Sequence, residues 1–515
     1  MRIAIEGCCH GEIETIYNSI VNVQKMTGPK IDLLLCCGDY EALRNLDDLK
    51  SLAVKPKYRT MGSFYKYYSG ELKAPVLTLV VGGNHESSNF FSEINNGGWL
   101  CENIYFMGRS NVVNFGGIRI GGLSGIFKEY DYHKGYYETK PFSDAHLRSI
   151  YHIRELDIFK FMQISEPALD IVFSHDWPMG IIDYGDRNVL MRFKKDLIED
   201  SDKGELGNPA TMATLKHLRP KFWFAAHLHA KFAALVKHED NNENNDNDNP
   251  TTTTTTTTTE PSTEPSNEPS TINNSNNNTT EPSDSPNDDK STKKTNTLKA
   301  VSNNPYTRFL ALDKVLPNRD FLQVLEFQQK VPFGEPLKLC YDPQWLLIQS
   351  KTKHISDTYN SATSKPLDPD LFLDLYTNEE VKKVEERFKD IYRLKNKDNL
   401  KENFTIQDAL EIKKENFVKN TYCHNPNTHN PLTNLPPAFE NPQNIVYENL
   451  IKIISQDTEI TNETLKELDV KTYSGNLEEL QKEQLSQRKN DRLQLQQSSP
   501  QEQQYKDESE IILDD

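Results

Sequence analysis

The sequence predicts an α/β fold, and three observations carry that prediction. Six apolar runs, at 2–5, 31–37, 76–81, 118–122, 170–173 and 222–226, are short and rich in Ile, Val, Leu or Phe. Each gives way within a residue or two to Gly, Asn, Ser or His, the pattern of buried strands that feed loops. Connections of about 30 residues or more separate most of them and leave room for crossover helices. At 515 residues the chain can bury a sizeable core and hold several domains.

Taken in order, the first 238 residues hold all six runs and 10 of the 13 histidines. They also carry 28 basic and 28 acidic side chains, so the formal net charge of −17 lies wholly beyond them. The acidic balance therefore does not exclude a nucleic-acid partner for this half, which is neutral and rich in imidazole, a composition that suits a metal site. Seven cysteines, at 8, 9, 36, 37, 101, 340 and 423, include two adjacent pairs, which fits free thiols in a reducing compartment better than a disulfide framework. Met1-Arg2-Ile3-Ala4-Ile5 meets Glu6 before an apolar leader can form, and no run approaches the roughly 18 apolar residues of a membrane span. A soluble intracellular protein with no membrane partner is expected.

From 239 to 297 the composition collapses into Asn, Asp, Thr, Pro and Ser, with an unbroken Thr tract at 251–259. Such a segment cannot bury enough apolar surface to offset its ordering entropy and is expected to be a disordered insertion. It interrupts one fold, because strand-like alternation resumes at 308–315 and 320–327 around a Pro317-Asn318 turn, and 337–348 adds another apolar stretch. The expected organisation is thus a catalytic region at 1–238, the insertion, the remainder of the same fold at 298–350, a C-terminal region at 351–475 and a polar, disordered tail at 476–515. In the C-terminal region Thr377 and Glu380 have capping-box spacing ahead of Val381, Val384, Phe388 and Ile391, which predicts a helix with one packing face.

Five strand ends carry residues that can bind metal: Cys8 and His10, Asp39, Asn84 with His85, His175, and His227 with His229. Residues i and i+2 of an extended segment face the same side, so Cys8 with His10, and His227 with His229, can each point at one centre. Ligands of an open α/β sheet gather beyond the carboxyl ends of its strands, which can bring all five loops to one place. Singly, each has an ordinary explanation: His-x-His is often incidental, Gly-Asp is a common turn, and Cys8-Cys9 reads as small buried residues. All five together, in this order and each after an apolar run, argue for a site. Cys9, Cys36, Cys37 and Cys101 read as small buried hydrophobes.

Asp-x-His, Gly-Asp, Gly-Asn-His-Glu, His and His-x-His in this order characterise the calcineurin-like metallophosphoesterases, and the chain resembles them with Cys8 where the first Asp normally stands. A narrower likeness is carried by Gly7-Cys8-Cys9-His10-Gly11-Glu12, Tyr65-Lys66-Tyr67-Tyr68-Ser69-Gly70, Gly82-Gly83-Asn84-His85-Glu86 and Gly121-Gly122-Leu123-Ser124-Gly125-Ile126-Phe127. With Ser174-His175-Asp176-Trp177-Pro178 and Leu312-Asp313-Lys314, these motifs resemble the RNA lariat debranching enzymes over residues 1–238 and again from about 305. The resemblance implies a metallophosphoesterase β-sandwich flanked by helices, and two divalent cations. One would be held by His10, Asp39 and His229 with Cys8 nearby, and the second by Asn84, His175 and His227, with Asp39 bridging. Two cations meeting the Asp39 carboxylate, a Cys8 thiolate, a phosphodiester and a hydroxide come close to neutrality. The family also places His85 on the leaving-group side as general acid; a histidine held by Asp39 or Glu86 is the other reading. Cys8 exchanges a hard oxygen ligand for a soft sulfur, which favours Fe or Zn over Mg and leaves Fe, Zn and Mn as candidates.

Residues 124–142 hold six aromatics in 19 positions, interleaved with Lys128, His133, Lys134 and Lys140, and the family places its lariat recognition loop here, at about 124–154. Unpaired bases stack on such rings while cations meet phosphate, which makes Lys128, Tyr132, Lys134 and Tyr136 candidates for RNA binding. Arg59, Tyr65 and Lys66 lie in a second patch of the same kind. The resemblance implies hydrolysis of the 2′-5′ phosphodiester at the branch point of lariat RNA. Action on another phosphoester and a catalytically silent RNA- or protein-binding module are the alternatives. Nuclear residence, with or without a cytoplasmic pool, follows only from that substrate, and the sequence identifies no protein partner for the acidic C-terminal region.

Overall fold

The computed structural model describes residues 1–239, 300–368, 375–424, 426 and 440–474. The expected disordered insertion lies outside them from residue 240 onward, and the tail at 476–515 lies outside them entirely. In chain order the strands are β1 (Arg2–Glu6), β2 (Leu33–Cys36), β3 (Leu77–Val80), β4 (Gly98–Cys101), β5 (Ile104–Phe106), β6 (Ser110–Phe115) and β7 (Ile118–Leu123). They continue with β8 (Ile171–Ser174), β9 (Phe222–Ala225), β10 (Phe232–Lys237), β11 (Tyr306–Ala311), β12 (Leu322–Glu326) and β13 (Leu339–Tyr341).

The apolar runs are continuous because both faces of the strands are covered. In the six-stranded sheet, of order β12-β1-β2-β3-β5-β4, Ile3, Ile5, Leu33, Leu35 and Leu79 face inward. There they meet Ile120, Ile171, Phe173 and Phe224 of the seven-stranded sheet, of order β10-β11-β9-β8-β7-β6-β13. The alternate residues Ala4, Leu34, Cys36 and Val80 pack outward against the helix Ile13–Thr27, whose Ile13, Ile16, Tyr17 and Ile20 recur at helical spacing. On the far side Val172, Trp223 and Ala225 pack against the helices Glu155–Met162 and Pro209–Leu218, the latter opened by Asn208, which accepts from the N–H groups of Ala210 and Thr211. The result is a two-sheet sandwich with helices on both outer faces.

One feature differs from the sequence reading. Between 81 and 118 the chain makes the helix Ser88–Glu93 and the strands β4, β5 and β6 instead of a simple helical crossover. The two strand-like stretches around Pro317-Asn318 form β11 and β12, which go to different sheets: β11 lies between β10 and β9, whereas β12 pairs antiparallel with β1, from Arg2 opposite Glu326 to Glu6 opposite Leu322. The stretch 337–348 divides at Asp342, which ends β13 and caps the helix Pro343–Lys351 by accepting from Trp345 N–H. In the helix Asn378–Lys395, Thr377 and Glu380 form the reciprocal cap, and Val384, Phe388 and Ile391 pack against the helix Pro442–Ser455 and Leu346. No helix among the described residues is long and apolar enough to cross a membrane.

Candidate metal centre

β1, β2 and β3 run parallel, as do β8 and β9, so their carboxyl ends deliver five loops to one edge of the sandwich. Backbone bonds stitch the loops together. Cys9 N–H donates to Gly38 O at 3.2 Å, His10 N–H to Asp39 O at 2.6 Å, and Ala226 N–H to His175 O at 3.0 Å. Eight non-glycine residues have positive φ among the described residues, and five of them, His10, Asp39, Glu41, His227 and His229, sit in these loops. Left-handed backbone at ordinary residues costs roughly 1–3 kcal/mol each and persists where the surroundings over-determine it, as they do at functional sites. The glycines are equally constrained: a Cβ on Gly83 would overlap Asp39 Oδ1, and one on Gly38 would overlap the His175 ring.

Two groups of donors meet at the buried carboxylate of Asp39. On one side Cys8, His10, Asp39 and His229 bring their ligand atoms within 4.8 Å of one another, with His10 Nε2 3.0 Å from His229 Nε2 and 3.7 Å from Asp39 Oδ2. On the other, His175 Nε2 lies 3.4 Å from Asp39 Oδ1 and 3.1 Å from Asn84 Oδ1, and the His227 ring packs 4.9 Å from that of His175. Burial alone would raise the Asp39 pKa, but the imidazoles of His175, His85 and His10, with a 2.8 Å bond from His85 N–H, hold the carboxyl far below its usual range. Burial, with repulsion from neighbouring cationic groups, pushes His227 and His229 down to about 3, so both rings are neutral and have a lone pair to offer.

The donor chemistry fits a cation. His175 Nδ1 lies 2.7 Å from the carbonyl of Cys37, which can only accept, so Nδ1 carries a proton and Nε2 is the nitrogen left to face the site. Nε2 faces the amide oxygen of Asn84 and the carboxylate of Asp39, and a cation between them would take the nitrogen and both oxygens as ligands. Cys8 accepts from His227 N–H at 3.1 Å, and burial first, then Asp39 and Glu6, push its thiol well above the usual range. This corrects the sequence-based charge sum: Cys8 is a thiolate only if a cation draws off its proton.

His85 is partly exposed, and its ring meets His10 edge-on at 5.3 Å. Glu86 does not hold that ring, because its carboxylate accepts from the backbone N–H groups of Tyr40, Glu41 and Gly83 and ties the second and third loops together. The sequence reading passed over Glu41, which is buried with Oε1 3.6 Å from His10 Nδ1 and orients that ring. Its only signal was the i+2 spacing from Asp39. Cys36 is more than a hydrophobe, since its thiol donates to the buried carboxylate of Glu6 at 2.6 Å.

The candidates for RNA contact are dispersed and largely engaged. Lys66 pairs with Glu14 at 3.0 Å, Lys134 with Asp131 at 2.8 Å, and Arg59 Nε donates to Val54 O. The Tyr65 ring meets His424, and Tyr132 packs against Phe127 and the core. Tyr136 lies under the Arg109 guanidinium, 3.2 Å from the ring centroid, and donates to Asp157 at 2.7 Å, so that face of its ring is closed to a base. Lys128 stands at the N-cap position of the short helix Glu129–Tyr132, with no capping bond from its side chain. The open ring of the 124–154 loop is Tyr130, at 64% exposure.

Comparison with known proteins places two family descriptions on this frame. A calcineurin-like phosphoesterase model matches residues 1–231, and a model for the lariat debranching enzyme C-terminal domain matches 304–456. The chain is 51% identical over 355 residues to a lariat debranching enzyme of Drosophila melanogaster, covering 69% of this chain and 61% of that one. It is 42% identical over 352 residues to that of Homo sapiens (68% and 54%), and 40% over 355 residues to that of Arabidopsis thaliana (69% of each). The chain therefore spans from about half to about two thirds of the length of the curated relatives it matches.

Proposed function

The chain belongs to the lariat debranching enzyme family, and on that premise we propose that it is a metal-dependent RNA phosphodiesterase that hydrolyses the 2′-5′ bond at the branch point of excised intron lariats. The family implies divalent cations, and the observation that carries the proposal is the shared carboxylate of Asp39, flanked on one oxygen by His10 and on the other by His175. Cations held by Cys8, His10, Asp39 and His229, and by Asp39, Asn84, His175 and His227, would supply Lewis acidity to the phosphoryl oxygens and to an attacking water. The chain's own residues do the rest. Glu41 fixes the His10 ring, the Cys37 carbonyl fixes the His175 tautomer, and Glu86 holds the loops in register. His85, partly exposed at the mouth of the site, gives a ring proton to the departing ribose 2′-oxygen, which is a poor leaving group unprotonated. Fe and Zn suit the sulfur-containing donor set better than Mg, and Mn, which the oxygen ligands suit, is the third candidate. Nuclear residence accords with this substrate.

The test is incubation of purified protein with a branched RNA and a linear 3′-5′ control, in the presence of Fe, Mn, Zn or Mg. Debranching without cleavage of the control supports the reading, and equal cleavage of both refutes it. Asp39→Ala should lose both cations and all turnover; unchanged metal stoichiometry in that variant would refute the shared role of Asp39.

A further inference from the structure

Away from the metal centre the structure holds a polar, solvent-open pocket of about 290 Å³, just below the roughly 300–1,000 Å³ of small-molecule sites. Its walls come from three places: Arg109 between β5 and β6, Tyr136 and Lys160 from the 124–162 segment, and Gln349 and Tyr447 from the C-terminal helices Pro343–Lys351 and Pro442–Ser455. Two cations face it without a carboxylate bonded to either. Lys160 is buried, and its ammonium, which can donate three bonds, has Gln349 Oε1, at 2.9 Å, as its one hydrogen-bond partner among the described residues. Arg109 lies on the Tyr136 ring and has no carboxylate partner among the described residues. Of the three lining carboxylates, Asp157 accepts from the neutral Tyr136 hydroxyl and acts on Lys160 electrostatically without a bond to it, and Glu448 and Asp357 pair with Lys353 at 2.8 Å and 3.2 Å. Tyr447 is 5% exposed, and its hydroxyl has no hydrogen-bond partner among the described residues.

Two neighbouring cations repel, a buried ammonium with one partner is costly, and a buried hydroxyl without one forfeits a bond. A single anion between them relieves all three. We propose that this cavity binds a phosphate group through Arg109, Lys160 and Tyr447, so that the C-terminal helices complete a second phosphate site beside the recognition loop. A smaller cavity of about 60 Å³ shares Arg109 and Tyr136 and extends to Gly82, Gly83 and Glu86, beside the metal-binding loops. The phosphate is therefore that of a nucleotide in an RNA strand approaching the branch, an assignment that rests on the debranching reading, or it is free inorganic phosphate.

The test titrates inorganic phosphate into chelator-treated full-length protein by calorimetry, with Arg109→Gln, Lys160→Met and Tyr447→Phe as variants. Thermal unfolding reports whether each variant is folded, and Arg109, which is only partly buried, supplies a variant that does not disturb the core. One saturable site is expected in the wild type, weakened about tenfold or more in the first two variants. Absence of saturable binding, or binding unchanged in all three, overturns the proposal. In a second arm, binding of branched RNA is followed against salt: an RNA source predicts a slope lower by about 1 in Arg109→Gln and Lys160→Met, with the kinetic loss in KM and not in kcat. Phosphate binding with an unaltered RNA slope assigns the site to free phosphate. A wild type that binds phosphate but leaves branched RNA intact overturns the debranching reading and not this one.

Discussion

Gly83→Ala and its neighbour Gly82→Ala are a matched pair, because both remove the same backbone freedom from the loop that follows β3. At Gly82 a new Cβ would meet Phe91 Cδ1 at 3.4 Å, an ordinary contact. At Gly83 it would overlap Asp39 Oδ1 and the backbone nitrogen of Asp39, and crowd His175 Cε1. Relieving that overlap needs a retreat of about 1 Å by the carboxylate that both donor groups share. Misplacement on that scale costs about 10²-fold in rate, whereas overpacking costs stability only about 1–3 kcal/mol, a shift of several degrees in Tm. The assay measures bound metal, turnover of branched RNA and thermal unfolding for wild type and both variants. Gly82→Ala should stay within a few-fold of wild type. Gly83→Ala should lose metal and at least about 10²-fold in turnover while remaining folded. A fully metallated Gly83→Ala with turnover near wild type would refute the argument that close approach of this backbone to Asp39 sets the site.

Further outcomes follow from the same structure. Cys8→Ser keeps an acceptor for His227 N–H but replaces soft sulfur with hard oxygen, so bound metal should shift from Zn or Fe toward Mn or Mg; an unchanged profile in a metal competition would remove Cys8 from the donor set. Tyr130→Ala removes the exposed ring of the 124–154 loop and, if that loop meets RNA as proposed, should weaken branched-RNA binding by about 1–3 kcal/mol with no change in Tm, which gel-shift titration can check. Burial pushes Lys160 from 10.5 down to about 8, so its penalty is fully present below about pH 8. It is relieved as pH rises toward 10.5, because the unfolded chain then holds more protons than the folded one. In phosphate-free buffer Lys160→Met should be more stable than wild type by roughly 3 kcal/mol near pH 7, with the gap closing toward pH 10.5. A pH-independent gap in denaturant titrations would contradict this.

How legible the molecule was in its sequence depended on what decides each element. β1, β2, β3, β8 and β9 are covered on both faces, so their residues form continuous apolar runs that stand out. β5 has only three residues, β4 opens on Gly98, β6 is interrupted by Asn111 and Asn114, and β10 exposes Ala233 and Leu235 on its outer face, so neither strand period nor apolarity marks them clearly. Asp39 and the histidine loops could be located because they follow those runs. Glu41 could not, since it reaches His10 through a left-handed backbone (φ 56°) that no periodicity encodes. Tyr136 misled for the opposite reason: composition shows an aromatic in a basic loop, but tertiary packing decides whether the ring meets a base or Arg109.

The crossing of the chain from β11 to β12 bears on how the protein is made. Gly7 N–H donates to Phe321 O and Cys8 N–H to Asp313 O, and β12 covers the edge of β1. β11 does the same for β9, which leads into His227 and His229. A nascent chain still short of Glu326 therefore has a bare β1 edge and a Cys8–His10 loop without its anchor, however completely the earlier residues have emerged. Metal capture becomes a late event of synthesis, and until then uncovered strand edges are templates for aggregation that long-range closure is slow to remove. Cells making this protein would have to shield the N-terminal half for as long as translation of the middle third lasts.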